Sequence, residues 1–558
     1  SESSSEESSS SESSSEESSS EESSSEESSS EESSSEESSS EESSSEESSS
    51  EESSSDEESE KSDKGNSAKS NKKANSVDRK KRPEIKISAS QTLAGISNII
   101  ELKRKSIIDN LNKSQLGASD RTINSLNLGS SFESKSKSTI DLRQAIINAR
   151  EEIQTRDYIS RLIDNKNLVA FLGNSNLQSS DFIFENKKYN PAIMDIRFTK
   201  AKGKTINKNA DAFLDLTVIS ADGNVSGKRV ELVTKKFAKN LRNLYSQLSR
   251  QEDLKVENES SPSRLLYEII FKSVEETLNK EKITTLLISA DRGLQAVPFA
   301  ALHDGKKYFG EKYAFSITPS LSLTNLDISN NKDKKILAIG ASQFKELAPL
   351  PLVNQELNNI SNPINKDIFV NKEFTPETFF EKAIQEKYSK IHIATHAEFK
   401  PGGPKSSQLF SGTNPISLDK FSILRKGRID NPLDLIVLSA CRTAVGDQET
   451  ELGFSGLALQ SGSKSAIGTL WYVDDVMTSA YFVQMYNFLD QGIPKAEAMQ
   501  MTRKAFIQEK IRLENDSLIG IDDKILLSDL NNSQKRIVRN GLSNPFFWAG
   551  IELMGSPW

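Results

Sequence analysis

Ile391-His392-Ile393-Ala394-Thr395-His396 and Leu435-Ile436-Val437-Leu438-Ser439-Ala440-Cys441 are the two stretches that decide how this chain is read. Each is a short run of β-branched or aliphatic residues bounded by polar sequence, the pattern of a strand buried on both faces. The first delivers His396 and the second delivers Cys441, each just past the carboxyl end of its strand, where open α/β sheets place their functional groups. A thiol with an ordinary pKa of about 8.5 is only slightly ionised at neutral pH, and a neighbouring imidazole can take its proton and return it to a leaving group. Two parallel strands ending at the same level would bring the pair within reach despite their separation along the chain. The competing reading makes Cys441 a buried small hydrophobe, the commonest fate of a lone cysteine.

Working outward, further strands are expected at 192–199, 214–220, 229–234, 285–290, 335–341, 390–396, 434–441, 465–471 and 551–554. Ala221-Asp222-Gly223-Asn224 marks a turn between the second and third. Helices are expected at 235–251, 262–280, 352–361, 375–388, 452–461, 475–489 and 494–510, the second opened by Ser261-Pro262-Ser263. Strands alternating with helices argue for a mostly parallel sheet covered on both faces.

HIATHAEF at 392–399, LIVLSACRTAVGD at 435–447, GLALQSGSKSAIGTLWYVDD at 456–475 and NPFFWAGIELMG at 544–555 together resemble the CHAT domain, a caspase-like family of the wider group that also holds separase. LLISADRGLQAVPFAALHDG at 286–305 and YAFSITPSLSL at 313–323 are similar to its leading segments. The resemblance runs from about Asn190 to Trp558. It implies an α/β caspase-like fold, with a mostly parallel sheet flanked by helices and a preceding α+β subdomain, behind a tail that its composition makes disordered. The organisation expected is an acidic tail at 1–60, a basic linker at 61–88, a partly helical region at 89–185, an amino-terminal CHAT part at 186–325 and a catalytic part at 326–558.

The resemblance also implies a cysteine endopeptidase acting on protein substrates through an acyl-enzyme, with Cys441 as nucleophile and His396 as acid and base. The backbone N–H groups of Cys441 and Ala397 would bind the oxyanion, and no metal or cofactor is needed. The family's histidine is usually followed by glycine, and any need for a positive φ would be costly for Ala397. Arg442 stands where Glu or Gln is common. Asp474 and Asp475 fall where separase recognises a basic residue, so either would favour cleavage after Arg or Lys. Alternatively Asp474 is a helix N-cap. Asp447, Glu449 and Glu451 are further candidate pocket acids, or simply a solvated loop. His392 is expected to be structural, because H-x-x-x-H suits zinc only on a helix. Gly453, Gly456, Gly462 and Gly468 fit no phosphate-loop pattern, and Trp471 and Trp548 are expected in the core.

The net charge of −10 belongs to a tail. Residues 1–60 carry 24 acidic groups on an EESSS repeat and no Lys or Arg, leaving the remainder with 57 acidic against 71 basic residues. Without apolar residues the repeat cannot bury a core and is expected to be disordered. The basic run Arg79-Lys80-Lys81-Arg82 reads as linker, and nucleic-acid binding is not expected. No 34-residue helical repeat is found before the CHAT part. One cysteine excludes an intrachain disulfide and suits a reducing, cytoplasmic setting; three histidines supply a metal site poorly. No apolar run reaches the length of a membrane span. The chain starts with Ser and is expected to be a fragment or processed product. A regulatory partner is expected and the oligomeric state is open; the rival reading is a catalytically silent CHAT scaffold recruited through its charged tails.

Overall fold

The computed structural model describes residues 190–558 except 201–204, 221–224, 291–293, 295–296, 319–323, 326–333, 399–404, 440–460, 472–473 and 540. The acidic tail, the basic linker, the partly helical region at 89–185, the turn at 221–224 and the helix expected at 452–461, apart from Ser461, lie outside the described residues.

Eleven strands form one sheet: β1 Pro191–Lys200, β2 Ala212–Ser220, β3 Val225–Leu232, β4 Thr285–Ala290, β5 Ala314–Thr318, β6 Lys335–Gly340, β7 Lys366–Val370, β8 Tyr388–Ala394, β9 Leu435–Ser439, β10 Ser465–Thr469 and β11 Ile551–Gly555. Their order is β3-β2-β1-β4-β5-β11-β10-β9-β8-β6-β7. Pairing is parallel from β1 through β4 and β5 to β11 and again from β10 through β9, β8 and β6 to β7. The two blocks meet at β10 and β11, which pair antiparallel with Ile467 opposite Leu553. The sheet is thus mostly parallel but has two opposed halves, and only the second presents the carboxyl ends of β8, β9 and β10 on one edge. Strands β2 and β3 extend the first half as an antiparallel meander.

Central strands such as β4, β9 and β10 are buried at every position, as expected where helices cover both faces. The helices of seven or more residues among the described residues are α1 Thr234–Ser249, α2 Pro262–Ile270, α3 Lys272–Lys280, α4 Val353–Asn359, α5 Pro376–Ala383, α6 Asp475–Leu489, α7 Lys495–Ile507 and α8 Asn532–Arg539. In α1 the apolar stripe Phe237, Leu244 and Leu248 faces inward. Helix α6 differs, being buried without a break from Val476 to Tyr486. It lies against β9, α4 and α7 on its inner side and is covered by α8 and the strand Ile525–Leu527.

Most expected elements are present within a few residues of their ends, with several differences. The helix expected at 262–280 is two helices broken at Phe271, whose ring stacks on Phe309 at 3.9 Å between centroids and is fully buried. The helix expected at 375–388 ends at Ala383, and β8 begins at Tyr388. Strands β5 and β7, and a three-stranded antiparallel sheet of Arg512–Glu514, Ser517–Ile519 and Ile525–Leu527, carried no distinct periodic signal. Trp548 and Trp471 lie in the core, each donating its indole N–H to a backbone carbonyl, of Ser543 and Phe546 respectively. No helix among the described residues is long and apolar enough to cross a membrane.

Candidate active site

The geometry starts from the ladder between β8 and β9. Leu435 pairs with Lys390 and the register runs unshifted to Ser439 opposite Ala394. The Thr395 N–H donates to the Ser439 carbonyl at 3.2 Å, carrying the ladder one residue further. His396 follows Ala394 by two residues. Cys441 follows Ser439 by two and lies outside the described residues. Neighbouring strands of a sheet are about 4.8 Å apart. Strand β10 adjoins β9 in the same direction, so the segment containing Asp474 leaves the sheet at the same edge.

His396 is half-buried. Its Nε2 lies 2.8 Å from the carbonyl oxygen of Ala348, and its ring packs against Phe344 at 4.7 Å between centroids. A carbonyl only accepts, so Nε2 carries the hydrogen and the lone pair of a neutral ring is on Nδ1. Its own carbonyl accepts from the Phe410 N–H at 2.9 Å, and the Thr395 hydroxyl donates to the Phe410 carbonyl. These bonds tie the residues on both sides of the imidazole to a small sheet in which Ala397–Glu398 pairs with Gln408–Phe410. Ala397 is an extended residue of that sheet and is not among the positive-φ residues, so alanine bears no backbone penalty there.

The two aspartates divide. Asp474 is the N-cap of α6, its Oδ1 accepting from the Val476 N–H at 2.9 Å, so the capping alternative is realised. Burial raises its pKa, and the amides of Val476 and Met477 oppose that shift. Asp475, one residue on, faces a different direction, and its Oδ2 accepts from the Leu352 N–H at 3.3 Å. Burial, with the negative charge of Glu356 and then Asp474 adding to it, pushes the Asp475 carboxyl up to about 7. It forms no ion pair with a Lys or Arg among the described residues. Asp447, Glu449, Glu451, Gly453 and Gly456 lie outside the described residues.

His392 is fully buried on the helix-covered face of β8. Its Nε2 lies 2.7 Å from Glu356 Oε1, and the other carboxylate oxygen of Glu356 accepts from the Ser479 hydroxyl at 2.6 Å. Phe482 and Tyr486 contact the imidazole edge-on. This arrangement locks β8 to α4 and α6 and is structural, as expected.

The residues missed from sequence are Ala348, Phe344 and Glu356. A carbonyl that orients a histidine leaves no mark on residue identity, because every residue carries one. Glu356 was detectable only as a carboxylate on the face of α4 that also holds Val353 and Leu357.

Among solved structures, the chain is similar to the Arg-specific cysteine proteinase gingipain R, at 12% identity over 52% of this chain and 68% of that one, with a TM-score of 0.33. No curated protein matches it. The model of the CHAT domain matches residues 260–556, which is more than half of the 558 residues. On that match, the protein belongs to the CHAT domain family.

Proposed function

We propose that this protein is a cysteine endopeptidase in which Cys441 and His396 form the catalytic dyad. The observation that carries the reading is the register of Ala394 with Ser439, because parallel strands in that register leave the sheet side by side two residues before His396 and Cys441. In this reading the Nδ1 lone pair of His396 takes the thiol proton and the thiolate of Cys441 attacks the scissile carbonyl. The tetrahedral oxyanion receives hydrogen bonds from the backbone N–H groups of Cys441 and Ala397. Collapse to a thioester expels the amine, which takes the proton from His396. A water then attacks the thioester, with His396 first as base and then as acid, releasing the carboxylic acid and the thiol.

Cleavage after Arg or Lys is the proposed preference. Of the two aspartates, Asp474 is committed to its helix cap, whereas Asp475 is a partly buried carboxyl held near its titration point. An incoming guanidinium or ammonium would restore its charge and pair with it. The lone cysteine fits a cytoplasmic setting, and a regulatory protein partner would control access to the site. The 1–60 tail, 61–88 linker, 89–185 helical region and two CHAT parts at 186–325 and 326–558 complete the proposed organisation.

The test is covalent labelling with acyloxymethyl ketone peptides bearing Arg, Lys, Asp or Leu beside the warhead, read by intact mass on wild type, Cys441→Ala and His396→Ala. Labelling at Cys441 that requires His396 and prefers Arg or Lys supports the reading. Absence of labelling, with and without host-cell extract, would favour the silent scaffold.

A further inference from the structure

The segment that carries Ala348 to His396 is a loop, 341–352, pinned at both ends. Inside it the Leu350 N–H donates to the Ser342 carbonyl at 3.0 Å, closing the span 342–350 over which Phe344 and Ala348 are presented to the imidazole. At its far end Leu352 is held by Asp475. At its near end Ser342 is gripped by Asn371, the residue just past β7. The amide oxygen of Asn371 accepts from the Ser342 N–H at 2.8 Å, and its amide nitrogen donates to the Ser342 hydroxyl at 3.1 Å.

Asn371 has φ +54, a left-handed conformation that asparagine tolerates better than most residues. Its main chain is enclosed as well. The Phe374 N–H donates to the Asn371 carbonyl at 2.9 Å, and Gly412, which has no room for a Cβ against that carbonyl, donates its N–H to the Phe374 carbonyl at 2.9 Å. Gly412 sits in the hairpin whose strand Gln408–Phe410 accepts and donates the bonds around Thr395 and His396. Asn371 therefore stands where the two supports of His396 meet, the loop that orients its ring and the hairpin that holds its backbone.

We propose that Asn371 is a positioning residue for His396, acting through Ser342 and the 341–352 loop to hold the Ala348 carbonyl on Nε2 and so keep the lone pair on Nδ1. The proposal rests on the peptidase reading only for its catalytic consequence; the tautomer itself belongs to the fold. Without the amide clamp the loop would lose its fixed origin, the Ala348 carbonyl would leave Nε2, and the neutral ring would distribute its proton over both nitrogens.

The test uses the full chain labelled with 15N-histidine, whose three histidines are assigned with His396→Gln and His392→Gln. The variants are Asn371→Gly, which keeps the left-handed backbone and removes the amide, Asn371→Asp, which keeps an acceptor for the Ser342 N–H, and Ser342→Ala, which removes the hydroxyl's contacts with the amide and leaves the N–H bond. Wild type should show His396 as the Nε2–H tautomer. Asn371→Gly should show both tautomers and an alkylation rate at Cys441, at pH 7, lower by about tenfold. Asn371→Asp should restore most of both readouts, and Ser342→Ala should fall between. A merely structural role would lower the melting temperature and leave the tautomer and the alkylation pH profile unchanged, and that result in both Asn371→Gly and Ser342→Ala would overturn the proposal. If Asn371→Gly does not fold, the same comparison of Ser342→Ala and Asn371→Asp with wild type decides it. A tautomer that responds while no peptide warhead labels Cys441 would uphold the positioning role and reject the peptidase.

Discussion

Ala394 and Ser439 face each other across an unshifted parallel ladder, each two residues ahead of a chemically distinctive side chain, His396 and Cys441. This places a claim on thiol reactivity that needs no substrate. Because the chain has one cysteine, iodoacetamide uptake reports Cys441 alone. In His396→Ala the alkylation rate at pH 7 should fall by about tenfold or more, and the pH midpoint should move up toward the ordinary thiol value of about 8.5. An unchanged profile would separate the two side chains.

Asp475 sets a pH dependence. Its folded pKa, about 7, is above the ordinary 3.8, so between those values the folded state holds a proton that the unfolded state has lost. Its contribution to stability is therefore largest below pH 4, declines as pH rises through 7 and is flat above that. Asp475→Asn should be stabilised relative to wild type more at pH 8 than at pH 4, measured by urea unfolding at both. Removing the neighbouring charge with Glu356→Gln should move the Asp475 transition to lower pH.

The same carboxyl should govern specificity. For peptides with Arg before the cleaved bond, kcat/KM relative to the Leu peptide should rise through about pH 7 in wild type, as Asp475 ionises. In Asp475→Asn that ratio should fall by about tenfold or more and lose its pH dependence. A preserved preference for Arg would assign the pocket to another acid.

Glu356 and His392 form a buried pair with both Glu356 oxygens engaged. Glu356→Leu should cost about 3–5 kcal/mol, since it strands the His392 N–H and the Ser479 hydroxyl without a partner. Glu356→Gln keeps an acceptor for His392 and should cost less than about 1.5 kcal/mol. Equal losses in denaturant titrations would show that the pair is not the source of stability.

At the opposite end of the ladder, Arg428 is nearly fully buried and donates to the carbonyls of Asn431, Ala383, Gln385 and Tyr388, at 3.0, 3.2, 2.6 and 2.7 Å. It stitches the end of α5 to the start of β8. Arg428→Ala should destabilise by about 3 kcal/mol or more, and Arg428→Lys should recover only part of that, because an ammonium cannot span the guanidinium's fork.

The individual elements of this sheet were legible because a buried strand is largely apolar and a covering helix is apolar along at least one face. Those constraints act within a few residues, so β4, β8, β9, β10 and β11 and the helices α6 and α7 appear in the text of the chain. Residues 313–323 read only as a family-like segment, and β7 carries no signal of its own. Short strands with polar or flanking ambiguity have no periodicity of their own, and pairing with neighbours distant in sequence forms them. The candidate histidine was legible from its place after an apolar run, and the split of 262–280 at Phe271 was not, since an aromatic partner at Phe309 causes it.

By itself the sequence determined roughly where most of the main strands and longer helices lie, that His396 stands at a strand's carboxyl end, and that two aspartates open a helix. Only the tertiary structure decided that β11, the last strand, lies between β5 and β10 and reverses the sheet there, that the Ala348 carbonyl selects the tautomer of His396, and that Asp474 caps α6 while Asp475 meets Leu352 and Glu356. The reason is physical. Local patterning reflects burial, which each residue type expresses alone, whereas strand order, backbone hydrogen bonds and a carboxyl's field depend on groups brought together from remote parts of the chain, and main-chain groups are the same in every residue.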